Sequence, residues 1–166
     1  SDEYLSLLKE LWTNPTPAFQ GEYFEFSNVT FSPRPVQQPH PPIWIGGRSR
    51  RGVRRAVEFG DYWHPSQMGP QELAHNADYM RRYSASVGRE EPPQLSCRLT
   101  LEFSSPPRNH ERAPLHGTVE DIVGDVQAYS ESGVQHIAME IVGDSFGDKL
   151  RAMERFMNEV KPHSPD

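Results

Sequence analysis

One cysteine, Cys97, in 166 residues excludes an internal disulfide framework and any thiolate-based metal cluster. No apolar run approaches the roughly 18–20 residues needed to cross a bilayer, so no transmembrane helix and no membrane partner are expected. The first residues, SDEYLSLLKE, lack the basic stretch and apolar run of a secretory signal. An initiating Met is also missing, which reads as a processed, trimmed or truncated beginning. Zinc-type spacing is absent among the seven histidines, and there is no Walker loop and no Gly-x-Ser-x-Gly elbow, so no metal is expected. Positive charge is in deficit too: 17 Lys+Arg against 23 Asp+Glu give a net charge of −6, which argues against a nucleic-acid partner. These absences leave a soluble, cytoplasmic domain.

Proline is in excess, at 16 residues or nearly double the usual share of roughly 5%. Residues 1–14 read as a helix, with Leu5, Leu8 and Trp12 at helical spacing and Leu7 and Leu11 widening the stripe; Pro15 and Pro17 stop it. Residues 15–42 read as a proline-rich crossover with a small hairpin. In that hairpin Tyr23–Ser27 turns through Ser27-Asn28 into Val29 and Phe31. The run SPRPVQQPHPP (32–42) fits an extended crossover, and by composition also a linker or a ligand for a proline-binding module.

Residues 43–160 repeat strand then helix four times. Ile43–Gly47 is apolar throughout, the mark of a strand buried on both faces, and is followed by a helix over 49–59. A short strand over 61–64 precedes a helix opened by Pro70 and closed at Gly88. The alternating strand 95–103 leads through a polar loop with Pro106, Pro107 and Pro114 to a capping box, Thr118–Asp121, and a helix ended by Gly133. Strand 134–142 is followed by a second capping box, Ser145–Asp148, and a helix with a stripe of Leu150, Met153, Phe156, Met157 and Val160. Strand–helix units in succession imply an α/β fold with parallel strands.

In such folds ligands bind in the loops at the carboxyl ends of the strands. Gly46-Gly47-Arg48-Ser49 fits an anion site, with glycines for a tight turn, Ser49 as helix cap and Arg48 for charge. Alone it fits a plain strand-to-helix turn as well. Trp63 and His64 close the second strand, where His64 is a proton carrier in one reading and a packed or surface histidine in the commoner one. Asp61 is better placed to secure the turn. Arg50, Arg51, Arg54 and Arg55 fall opposite Val53, Ala56 and Val57 and read as a solvated helix face. Asp144 and Asp148 disfavour a phosphate after the last strand, and Glu140 faces either a ligand or an arginine. Cys97 reads as core.

The run LLKELWTN…FQGEYFEFSNVTFSPRPVQQPHPPIWIGGRSRRGVRRAVEFGDYWHP resembles the luciferase-like monooxygenase family of flavin- or deazaflavin-dependent oxidoreductases, and HGTVEDIVGDVQAYSESGVQHIAMEI resembles its final barrel unit. The resemblance implies a (β/α)8 TIM-type barrel that holds FMN or an F-420-type deazaflavin at the carboxyl ends of its strands. It makes the four strands here the fifth to eighth, so the chain is expected to be a carboxyl-terminal half-barrel, inactive alone. By it Gly46, Gly47, Arg48 and Ser49 lie at the cofactor's phosphate, and Trp63 and His64 on the substrate or cofactor side. Tyr62 stands where the family usually has Gly. No catalytic acid or base is assigned, since the family's candidates belong largely to the first four strands. Against the enzyme stands a non-catalytic remnant or assembly module, a half-barrel that covers its open edges by pairing with itself as a homo-oligomer or with another chain.

Overall fold

The computed structural model describes residues 2–104 and 112–164. Its elements follow the expected alternation. Helix α1 (Asp2–Thr13) precedes a hairpin of β1 (Phe19–Gln20) and β2 (Glu25–Phe26); β3 (Trp44–Gly46) then leads to α2 (Arg50–Phe59), and β4 (Tyr62–His64) to α3 (Pro70–Ser86). Next come β5 (Gln94–Phe103), the two-residue β6 (His116–Gly117), α4 (Val119–Glu131), β7 (Val134–Ile141) and α5 (Phe146–Arg155), which continues as a π-helical turn over Phe156–Val160. The polar loop expected around Pro106 and Pro107 lies outside the described residues.

Strands β3, β4, β5 and β7 lie side by side, all parallel, and β6 pairs with the far end of β5. Alternation along them sorts the side chains. Ile45, Trp63, Leu95, Cys97, Leu99 and Leu101 are buried in one core with Val53, Ala56 and Val57 of α2, Leu73, Ala77 and Met80 of α3, and Ile122, Val126 and Tyr129 of α4. The intervening residues, Trp44, Tyr62, His64, Arg98, His136 and Glu140, stay at least partly exposed on the opposite face. That face is concave. Trp44 on β3 and His136 on β7 are three strand spacings apart, about 14 Å in a flat sheet, yet their rings approach to 4.9 Å between centroids.

Local chemistry sets the helix ends. Thr118 and Ser145 each form the expected capping box, with Asp121 and Asp148. The α2 C-terminus is closed from a distance: Arg89 Nη1 donates to the carbonyls of Val57 (2.7 Å) and Gly60 (2.8 Å), a cation where the helix dipole is negative. The Tyr129 hydroxyl, fully buried, donates to the Met68 carbonyl at 2.9 Å.

One expectation is corrected. The hairpin lies earlier than its alternation suggests: Phe19 pairs with Phe26 and Gln20 with Glu25, so Val29 and Phe31 are outside it. The Glu3 carboxylate decides the turn by accepting from the amides of Tyr23 and Phe24 at 2.9 and 2.8 Å. The apolar stripe of α5 is largely uncovered. Leu150, Met153 and Met157 are 44%, 50% and 59% exposed, and only Phe156 and Val160 turn inward. Strand β7 is the sheet edge on that side, and no described element covers the stripe.

Replacing Arg89 by Ala leaves buried carbonyls of α2 without a donor and is expected to cost about 1–3 kcal/mol. Arg81→Ala, which removes only an exposed i,i+3 ion pair with Asp78, is expected to cost under about 0.5 kcal/mol. Urea unfolding of both variants checks the contrast, and equal losses would contradict it.

Candidate functional site

At the carboxyl end of β3 the chain turns through Gly46-Gly47-Arg48 into α2. Gly47 has φ +105°, a conformation that side chains rarely adopt. Its carbonyl oxygen accepts from the indole Nε1–H of Trp63 at 2.9 Å. It also lies where a Cβ on Gly52 would meet it at 2.8 Å, so the turn packs directly on the first turn of α2. A trans peptide sets N–H opposite C=O. With the Gly47 carbonyl held inward, the Arg48 amide faces out, and no described backbone group accepts from it or from the Ser49 amide. Ser49 caps α2, its hydroxyl accepting from Gly52 N at 3.3 Å. The strip from Gly46 to Arg51 is exposed throughout. Arg48 reaches Glu72 of α3 at 3.1 Å, with both side chains about half exposed.

Trp63 and His64 go to opposite faces. Trp63 is fully buried behind the sheet and touches the site only through its N–H on Gly47. His64 lies on the concave face, where its Nδ1 is 2.8 Å from Ser96 Oγ and its ring meets the edge of Trp44 at 5.1 Å. Burial, then the nearby His136 and Arg98, holds the His64 imidazole below its ordinary pKa of 6.5, so it favours the neutral form. Trp44 stacks on Tyr62 at 4.2 Å and meets His136 edge-on, and these rings form a floor below the polar residues. Above them Arg98 pairs with Glu140, both side chains about half exposed.

Asp61 secures the turn as expected, its carboxylate accepting from Ile43 N at 2.7 Å. Cys97 is buried, and its thiol is pushed up mainly by desolvation. The α2 arginines are less free than a solvated face implies. Arg50 lies 3.9 Å over the Tyr79 ring, Arg54 donates to Tyr79 Oη at 2.6 Å, and Arg55 pairs with Asp2. Among the described residues no group of three His, Cys, Asp or Glu is arranged to hold a metal. No described helix is long and apolar enough to cross a membrane.

Sequence reasoning missed Trp44, Ser96, Arg98 and His136. Each sits on a strand as the alternate residue to a core position, so period-2 alternation is the signal that finds them once the core face is known. Two surface cavities lie away from the glycine turn. One of about 520 Å³ runs along the β7 edge by Val134, Ile137 and Phe156, and one of about 320 Å³ lies at the amino ends of the strands by His40, Asp61 and Arg89. The turn itself is an exposed strip of backbone, which a ligand meets from outside.

Residues 1–104 match the luciferase-like monooxygenase family. The FMNH2-dependent dimethylsulfone monooxygenase of Pseudomonas putida is 31% identical over 88 residues, covering 53% of this chain and 24% of that protein. The monooxygenase RslO1 from Streptomyces bottropensis superposes with a TM-score of 0.78 at 17% identity, over 98% of this chain and 60% of that one. An F420-dependent secondary alcohol dehydrogenase, solved with an F420-acetone adduct, gives 0.76 at 12% identity, over 99% and 61%. The chain thus spans about a quarter of the curated relative and about 60% of the solved structures. A family match over most of the residues, on a parallel sheet that those structures share, means that the chain belongs to the luciferase-like monooxygenase family.

Proposed function

We propose that the chain is part of a flavin- or deazaflavin-dependent oxidoreductase acting on a small organic substrate, and that Gly46, Gly47, Arg48 and Ser49 hold the phosphate of FMN or of an F-420-type deazaflavin. The observation that carries this is the outward-facing amide of Arg48, held open by the Trp63–Gly47 hydrogen bond at the start of α2. The residues present fit a phosphate. A Cβ on Gly46 would meet nothing nearer than 3.8 Å, so the backbone is open to close approach, and the donors are amides, a helix N-terminus and a guanidinium. The Arg48–Glu72 pair is half exposed, worth about 0–1 kcal/mol, and is readily exchanged for a phosphate.

When bound, the ring of such a cofactor supplies the hydride or oxygen chemistry. The chain's own part is to anchor the phosphate at the turn and to present His64 and its neighbours on the concave face beside it. Trp44 and Tyr62 stack on each other beneath it. The four parallel strands are read as the fifth to eighth of an eight-stranded barrel, a reading supported by the curl of the sheet and by neighbours that extend beyond this chain. In that reading the chain alone holds the phosphate turn but only part of the ring pocket.

Fluorescence titration tests the reading. FMN is expected to bind more tightly than riboflavin, which lacks the phosphate, and Arg48→Ala is expected to weaken FMN by about tenfold while leaving riboflavin unchanged. Equal affinity of the wild-type chain for both would overturn it. Gly47→Ala, which forces a side chain to φ +105°, is expected to cost about 1–3 kcal/mol of stability in urea and to weaken FMN as well.

His64 gives a pH signature. Its pKa is lowered on folding, so as the pH falls below 6.5 the unfolded chain takes up the proton first. The stability tied to a neutral His64 is present above that pH and is lost as the pH falls through the folded value. In His64→Gln, urea midpoints are expected to fall less steeply than wild type between about pH 7 and pH 5. Parallel profiles would contradict a depressed His64.

A further inference from the structure

The pair His64–Ser96 is not used by the phosphate turn, yet Ser96 is fully buried while the imidazole beside it is only half buried. A buried hydroxyl proton needs an acceptor inside the protein. Ser96 Oγ has two neighbours: His64 Nδ1 at 2.8 Å and the carbonyl oxygen of Trp63 at 3.4 Å. A carbonyl can only accept. If Nδ1 carries the imidazole proton, Ser96 accepts from it and donates to Trp63, and both bonds are made. If Nδ1 is bare, the single hydroxyl proton goes to the ring and the Trp63 contact is lost. Two bonds against one favours the first arrangement.

We propose that Ser96 is a positioning residue that holds His64 as the Nδ1–H tautomer, so that Nε2 presents a bare lone pair on the concave face as the acceptor for an N–H or O–H group of a bound ligand. No described residue bonds to Nε2, and the only buried side-chain N or O atom without a partner among the described residues is Ser84 Oγ, so Nε2 is open to solvent. The groups facing it bear on its charge. Trp44 of β3 and Tyr62 of β4 are apolar walls, and Ser96 is neutral. Arg98 of β5 and His136 of β7 oppose a second positive charge, while Glu140 of β7 is already paired with Arg98. The site accepts a hydrogen bond without taking a full proton. It thereby favours a ligand with a free N–H or O–H over one in which that group is methylated, because a methylated ligand seated there would take Nε2 out of water without giving it a donor.

The proposal rests on the flavin-side reading only for what the acceptor meets; the tautomer itself is independent of it. Long-range nitrogen–proton NMR on the whole chain at pH 7.5 reads the tautomer directly. Wild type is expected to show His64 with protonated Nδ1 and bare Nε2. Ser96→Ala is expected to move the population toward Nε2–H, and Ser96→Thr, which keeps the hydroxyl, is expected to restore it. A wild-type ring protonated on Nε2, or a tautomer indifferent to Ser96→Ala, overturns the proposal. The wild-type spectrum decides alone if the Ala variant does not fold. The ligand part is tested with phenol against anisole, its O-methyl analogue, on the His64 ring resonances. Saturable shifts with phenol and none with anisole support it, whereas equal shifts, shifts with anisole alone, or no shift with phenol overturn it. Loss of FMN binding with an intact tautomer would sink the flavin reading and leave this one standing.

Discussion

The hydrogen bond from the Trp63 indole to the Gly47 carbonyl fixes most of what the site can do. It ties the end of β3 to the core side of β4 and turns the following amide outward. The same indole fills the space under the β3–α2 turn, fully buried among Ile45, Val53 and Val57 of the shared core. Burying so large a ring contributes several kcal/mol by itself. The hydrogen bond adds direction. Because side chains alternate along a strand, placing Trp63 in the core commits its neighbour His64 to the concave face. One buried residue thus sets both halves of the candidate site, the glycine turn above and the imidazole beside it.

Much of this was legible in the sequence. The apolar run Ile43–Gly47, the Pro70 start, and the Thr118 and Ser145 boxes marked elements whose bounds the structure changes by only a residue or two. These signals are local, since a cap or a strand depends on residues within four positions of it. The glycine turn was legible for the same reason. What was not legible depends on partners far along the chain. Glu3 sets the hairpin turn from about twenty residues away, Arg89 closes α2 from about thirty, and the α2 arginines find Tyr79 and Asp2 on neighbouring helices. Pattern reading has no access to such pairs until the topology is known.

The α5 stripe is instructive in a different way. Its period is helical and its residues are apolar, yet Leu150, Met153 and Met157 stay exposed. Periodicity reports which residues share a face and says nothing of what meets that face. Here the face lies beyond β7, the edge of the parallel sheet. Both open features, the β7 edge and the α5 stripe, are on one side of the sheet. The concave face shows the complementary lesson. Its polar and aromatic residues look unremarkable one by one, and become a site only when the curl of the sheet brings Trp44 to His136.

The central claim is that the Gly46–Ser49 turn is the phosphate anchor of a flavin-type cofactor. A crystal structure of the chain with FMN tests it most directly. The account predicts the phosphate on the Arg48 and Ser49 amides, with Arg48 released from Glu72 and the Trp63–Gly47 hydrogen bond intact. A phosphate seated elsewhere on the molecule, with Arg48 still on Glu72, would contradict it.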